Sequence, residues 1–189
     1  MKRIIKPEVI STESPFKNKY VSLRTDKIVF KHREEDGKLE EMESDYYTID
    51  SPDFVIVIAM KDKEVLVINQ YRWSVRGFIN GFVCGMIEKD QNPEEAAKKE
   101  LLEEAGLKAK TVKFLGKTHP LAGQNSCTAH AFFTDDFEEE ESGLEEFEKF
   151  TNLTKEWVPI EKYRQMIIDG KIKDGPALSA WALLMEYIK

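Results

Sequence analysis

Three glutamates carry the strongest chemical signal in this sequence. Glu100, Glu103 and Glu104 stand at i, i+3 and i+4. On a helix that spacing puts all three on one face, with neighbouring Cβ atoms roughly 5–6 Å apart. Carboxylates so close repel one another in water, and a divalent cation removes the conflict. Hard oxygen donors favour Mg2+ or Mn2+ over zinc. Taken alone, the triple reads as a solvated helix face, because Glu94 with Lys98 and Glu95 with Lys99 are i, i+4 pairs that need no metal.

The element that must position these groups is a helix opening after Asn92. Asn92 suits the N-cap, Pro93 the first helical position, and Glu95 completes a capping-box-like pattern. Ala96, Ala97, Leu101 and Ala105 form an apolar stripe, and Gly106 ends the helix. Upstream, Tyr20 to Phe30 and Asp45 to Ile49 read as short strands around a charged turn, His32 to Glu43. Phe54 to Met60 and Glu64 to Gln70 read as strands joined by a turn, giving an antiparallel meander. Val112 to Leu115 and Ala129 to Phe133 read as further strands. Pro159 to Asp169 is a second helix, stopped by Gly170. Pro176 to Ile188 is a third, with Leu178, Trp181, Leu184 and Met185 as its core stripe. Strands interleaved with helices predict an α+β fold in which a mixed sheet is flanked by helices, preceded by a small N-terminal antiparallel β extension. The expected division is residues 1–50 and 51–189.

The residues flanking the glutamates change their reading. Gly85 to Leu107, GMIEKDQNPEEAAKKELLEEAGL, resembles the Nudix signature, G-x5-E-x7-R-E-U-x-E-E-x-G-U, where U is a bulky aliphatic residue. Gly85, Glu100, Leu101, Glu103, Glu104, Gly106 and Leu107 match it without a gap. Gln91 stands where the first glutamate belongs and Lys99 where the arginine belongs. Gln91 keeps a hydrogen-bonding oxygen without the charge, and Lys99 keeps the charge without the bidentate fork. The resemblance implies an α/β/α sandwich and a Mg2+- or Mn2+-dependent hydrolase. It makes Glu100, Glu103 and Glu104 both the catalytic and the metal-binding residues, with the backbone carbonyl of Cys84 completing the metal shell.

Outside the signature, VLVINQYRW (Val65 to Trp73), HPLAGQNSCTAHAFF (His119 to Phe133) and WVPIEKYRQMIIDGKIKDGPAL (Trp157 to Leu178) resemble the ADP-ribose and nucleotide-sugar pyrophosphatase branch. In that branch Arg72 would bind the substrate's diphosphate, for which a guanidinium is well shaped. Trp73 reads as a packed tryptophan, with base stacking as the alternative. The branch often carries E-L-P-A-G into the signature, whereas this chain has Gly81-Phe82-Val83-Cys84-Gly85. Glu145, Glu146 and Glu148 are candidate general bases on a following acidic loop. His119 and His130 read as structural. The implied reaction splits the diphosphate of ADP-ribose or a related nucleotide sugar into a mononucleotide and a sugar phosphate. Two alternatives stay open: another nucleoside diphosphate derivative such as GDP-mannose or a dinucleotide, and a nucleotide-binding module weakened at Gln91 and Lys99.

Bulk composition agrees with a soluble enzyme. The 189 residues carry a net charge of −7 and lack the basic footprint of a nucleic-acid binder. The longest apolar run, Phe54 to Met60, is too short to span a bilayer. Cys84 and Cys127 are expected as reduced thiols of a cytoplasmic protein. Members of the branch are often homodimers, and the same is expected here.

Overall fold

The computed structural model describes residues 3–34, 37–140, 150 and 152–188. Chain contacts divide it into two units, Met1–Pro52 with Leu121–Cys127, and Asp53–Pro120 with Thr128–Lys189.

The first unit is an antiparallel sheet in the order β1 (Arg3–Lys17), β2 (Ser22–Arg33), β3 (Leu39–Asp50). The charged segment expected as a broad turn is mostly strand, since β2 runs to Arg33 and β3 opens at Leu39. Cross-strand ion pairs explain this. Lys27 lies 3.0 Å from Glu43 and Lys31 3.7 Å from Glu41, so opposed charges stabilise a ribbon that needs no apolar face there. Strand β1 lay outside the sequence reading because Pro7 and Pro15 argue against a strand. Both are tolerated because β1 is an edge strand whose register breaks at Ile5/Glu8 and Glu13/Phe16, spanning the two prolines. Leu121–Cys127 joins this unit through a bridge between Ile49 and Asn125.

The second unit holds a seven-stranded mixed sheet. Its path is β12 (Thr154–Pro159), β5 (Glu64–Arg72), β4 (Phe54–Lys61), β10 (Ala129–Thr134), β9 (Lys113–Thr118), with β6 (Gly77–Gly81) on β5 and β7 (Val83–Met86) on β4. Strands β4 and β10 are parallel and the other pairs antiparallel. The expected meander is therefore incomplete. Asp62 and Lys63, both at positive φ, close a tight hairpin, but β4 and β5 pair only at Met60↔Val65 and Lys61↔Glu64. Beyond that they diverge, and β6 and β7 take up their open edges. Strands β8 (Leu107–Ala109) and β11 (Phe137–Glu139) form a separate antiparallel pair.

Side-chain alternation along β4 builds the two cores. Val55, Val57 and Ala59 face one side with Leu66, Ile68, Val83 and Phe132, covered by helix α1 (Pro93–Ala105). Ile56 and Ile58 face the other with Val65, Val67 and Phe133, covered by α2 (Ile160–Ile168) and α3 (Gly175–Tyr187). A strand buried on both faces has no polar alternation, as the run from Phe54 to Met60 required. The inward face of α3 is Ala177, Ala180, Trp181 and Leu184, turned from the expected stripe; Leu178 and Met185 are only partly buried. Among the described residues, no helix is long and apolar enough to cross a membrane.

Candidate active site

Local sequence sets the start and end of α1. The Asn92 side chain accepts the Glu94 N–H at 2.8 Å, Pro93 opens the helix, and Gly106 closes it at φ +64 with its N–H turned back to Leu101 and Leu102. The buried face is Ala96, Ala97, Leu101, Glu104 and Ala105. Three of these five are alanine, so the helix lies close against β7, and longer side chains one turn further on reach the strand's backbone.

Glu104 is only 5% exposed, and its carboxylate accepts the Cys84 backbone N–H at 3.2 Å. Removing a carboxylate from water costs on the order of several kcal/mol unless its oxygens are satisfied, so stability alone would not place one here. Glu100 reaches the next residue of the same strand. A Cβ built at Gly85 would fall inside the Glu100 carboxyl group. Gly85 is therefore needed for space, since the carboxyl occupies the side-chain position of the strand. Glu100 and Glu104 thus converge on the Cys84–Gly85 backbone.

Glu103 points to a neighbouring set. It lies 3.8 Å from Lys99, and Lys99 donates to Glu88 at 3.2 Å. The Glu88 carboxylate, then burial in opposition, then Glu103 act on Lys99, and the net effect holds its ammonium above its usual pKa. Gln91 makes a loop contact in place of a charged one: its side-chain oxygen accepts the Glu88 N–H at 2.9 Å.

Arg72 ends β5 and is exposed. Its charge acts on both Cys84 and Asp174. Burial, and after it the Glu104 charge, push the Cys84 thiol up from its ordinary value, and the contact Cys84 makes with Glu104 is through its backbone N–H. Asp174 was not singled out from the sequence. It caps α3 by accepting the Ala177 N–H at 2.9 Å, and it packs beside Gly81. The capping signal was Asp174, two residues ahead of Pro176, where the helix was expected to open, and the helix starts at Gly175.

The remaining sequence candidates fall elsewhere. His130 is buried and lies 3.3 Å from Asp53, which also accepts the Thr128 N–H. His119 is exposed. Trp73 is not packed; it is 77% exposed in a short 3-10 turn, tilted against Tyr71. Glu145, Glu146 and Glu148 lie outside the described residues. Neither cysteine forms a disulfide among the described residues.

Among the described residues, no three His, Cys, Asp or Glu side chains converge closely enough to enclose a metal ion. The donors present do fit Mg2+, which keeps several waters and is usually held by one or two carboxylates together with substrate phosphates. Glu100 and Glu104 supply two such carboxylates, all oxygen and half enclosed by strand backbone.

Comparison with known proteins bears on this arrangement. A family model described as the NUDIX domain matches residues 51–180. A crystal structure of an ADP compounds hydrolase has a similar fold, with a TM-score of 0.79 at 20% sequence identity, over 98% of this chain and 96% of that one. No curated protein sequence matches the chain.

Proposed function

Since the chain belongs to the NUDIX domain family, we propose that it hydrolyses the diphosphate bond of ADP-ribose or a related nucleotide sugar with Mg2+, releasing a mononucleotide and a sugar phosphate. The observation that carries this reading is the pair of α1 carboxylates that converge on strand β7, Glu104 buried on the Cys84 N–H and Glu100 seated over Gly85. A family model for the chemistry and a solved ADP compounds hydrolase of similar fold support the substrate class.

Glu100 and Glu104 would hold the cation, with the Cys84 carbonyl beside them and Glu103 completing the set directly or through water. Bound there, Mg2+ would neutralise phosphoryl oxygens and lower the pKa of a coordinated water. The protein's own share is orientation. The Cys84 N–H fixes one oxygen of Glu104, Gly85 gives Glu100 room, and Arg72 presents a fork to the diphosphate. Attack by water on one phosphorus breaks the bridging P–O bond, and the oxygen of that bond leaves with the other phosphate.

This chemistry is assigned to residues 51–189, with residues 1–50 as a β extension. We assign the protein a cytoplasmic homodimer. Exposed Val9, Ile10, Phe16, Met42 and Tyr47 on the three-stranded sheet support the dimer, and two cysteines outside any disulfide support the compartment.

The test is incubation of the purified protein with ADP-ribose, GDP-mannose, NADH and a dinucleoside polyphosphate, each with Mg2+, beside Glu104→Gln. A mononucleotide and a sugar phosphate from ADP-ribose, absent in the variant, are expected. Binding of a nucleotide without cleavage of any of the four would replace this reading with that of a binding module.

A further inference from the structure

The lysine that stands in the signature's arginine position has two carboxylates within reach, and the structure ranks them. Lys99 Nζ is 3.2 Å from Glu88 and 3.8 Å from Glu103. Only the first is a hydrogen bond. An arginine fork is rigid and planar, whereas an ammonium on a flexible stem is a point charge whose position is set by its nearest partner, here Glu88.

Glu88 is held by contacts that do not involve Lys99. Its N–H donates to the Gln91 side chain at 2.9 Å, and its carbonyl accepts the Gln91 N–H at 3.1 Å, so residues 88–91 form a closed turn. The preceding residue is tied to the sheet, Ile87 N–H donating to the Asp53 carbonyl at 2.9 Å. The turn therefore fixes the Glu88 backbone beside α1, from which its carboxylate meets Lys99. Gln91, neutral where the signature has a charge, closes the turn without adding another carboxylate beside Lys99.

We propose that Glu88 is a positioning residue: by taking the hydrogen bond of the Lys99 ammonium it holds that cation at 3.8 Å from Glu103, short of a hydrogen bond, and leaves the Glu103 carboxylate to the metal. The two departures from the signature then work together, Gln91 fixing the turn that presents Glu88 and Glu88 drawing off the lysine. This inference rests on the metal-dependent reading above.

Binding of Mn2+ alone, followed by electron paramagnetic resonance of the free ion, tests it without turnover. Glu88→Gln releases Lys99 to Glu103 and weakens Mn2+ binding about two- to fivefold, the size of one partly exposed ion pair. In a Lys99→Met background the same Glu88→Gln change leaves Mn2+ affinity unaltered, because no ammonium remains to be released. Melting temperatures in EDTA check that all four proteins are folded. An equal loss of affinity in both backgrounds, or no loss in either, overturns the proposal while leaving the catalytic reading intact. A wild-type chain that binds no Mn2+ overturns both.

Discussion

Replacing Gly85 with alanine puts a methyl carbon inside the space of the Glu100 carboxyl group. All three carboxyl atoms are overlapped, and ordinary contact between carbons begins at about 3.5 Å, so the group must retreat by roughly 1 Å or more. It can do so, because it is the far end of a flexible side chain rather than backbone. The fold should therefore survive, with a melting temperature in EDTA within about 4 °C of wild type, equivalent to less than ~1 kcal/mol. Function should not survive as well. A displacement of about 1 Å at a positioned group costs on the order of 10²-fold in rate, or ~2.7 kcal/mol of barrier. The assay is kcat/KM for ADP-ribose at saturating Mg2+, with Glu100→Gln and the Gly85→Ala/Glu100→Gln double variant measured alongside. If the methyl acts only by displacing Glu100, the double variant is no worse than Glu100→Gln alone. A Gly85→Ala enzyme with more than about a third of wild-type kcat/KM would refute the reasoning, since a tenfold loss is only ~1.4 kcal/mol. So would full additivity in the double variant.

Glu104→Gln keeps an oxygen for the Cys84 N–H and removes a buried charge, so activity should be lost while the melting temperature in EDTA stays level or rises; a clear drop in stability would mean that the charge is structural. Burial raises the Asp174 pKa, against the Ala177 N–H and Arg72, which lower it. Protonated Asp174 thus favours the folded state fully below its unfolded pKa of about 3.9, and that contribution is lost as pH rises through the higher folded value. Asp174→Asn, which still caps Ala177, should then stabilise the protein at pH 7 and by less at pH 4.5; a gain independent of pH in thermal melts would contradict this. The Tyr163 hydroxyl is fully buried and has no hydrogen-bond partner among the described residues, so Tyr163→Phe should raise stability by ~1 kcal/mol in urea unfolding, and a loss of that size would reveal a partner.

How much of this was legible in the sequence depends on how local each cause is. Helix α1 was readable at both ends because caps act within a few residues: Asn92 and Pro93 at the start, Gly106 at the end. The buried strands β4 and β5 were readable from continuous apolar runs, and the shared face of Glu100, Glu103 and Glu104 follows from helical spacing alone. Strands β6 and β7 were missed because Gly77 to Met86 is rich in glycine and carries no alternation. Their strand character comes from partners elsewhere in the chain, Ile68 opposite Gly81 and Ile56 opposite Cys84. Strand β1 was missed for a related reason, since its prolines are permitted only by an edge position that no local pattern reveals.

The sequence by itself thus determined a carboxylate-bearing helix, its boundaries, and the family signature around it. Tertiary structure decided what each carboxylate is for. Spacing makes the three glutamates equivalent, and only the approach of β7 distinguishes Glu104, buried on a backbone N–H, from Glu100 over Gly85 and from Glu103 beside Lys99. Burial and hydrogen-bond partners come from surfaces that meet across long stretches of chain, and a helix's own periodicity holds no information about which surface it will meet.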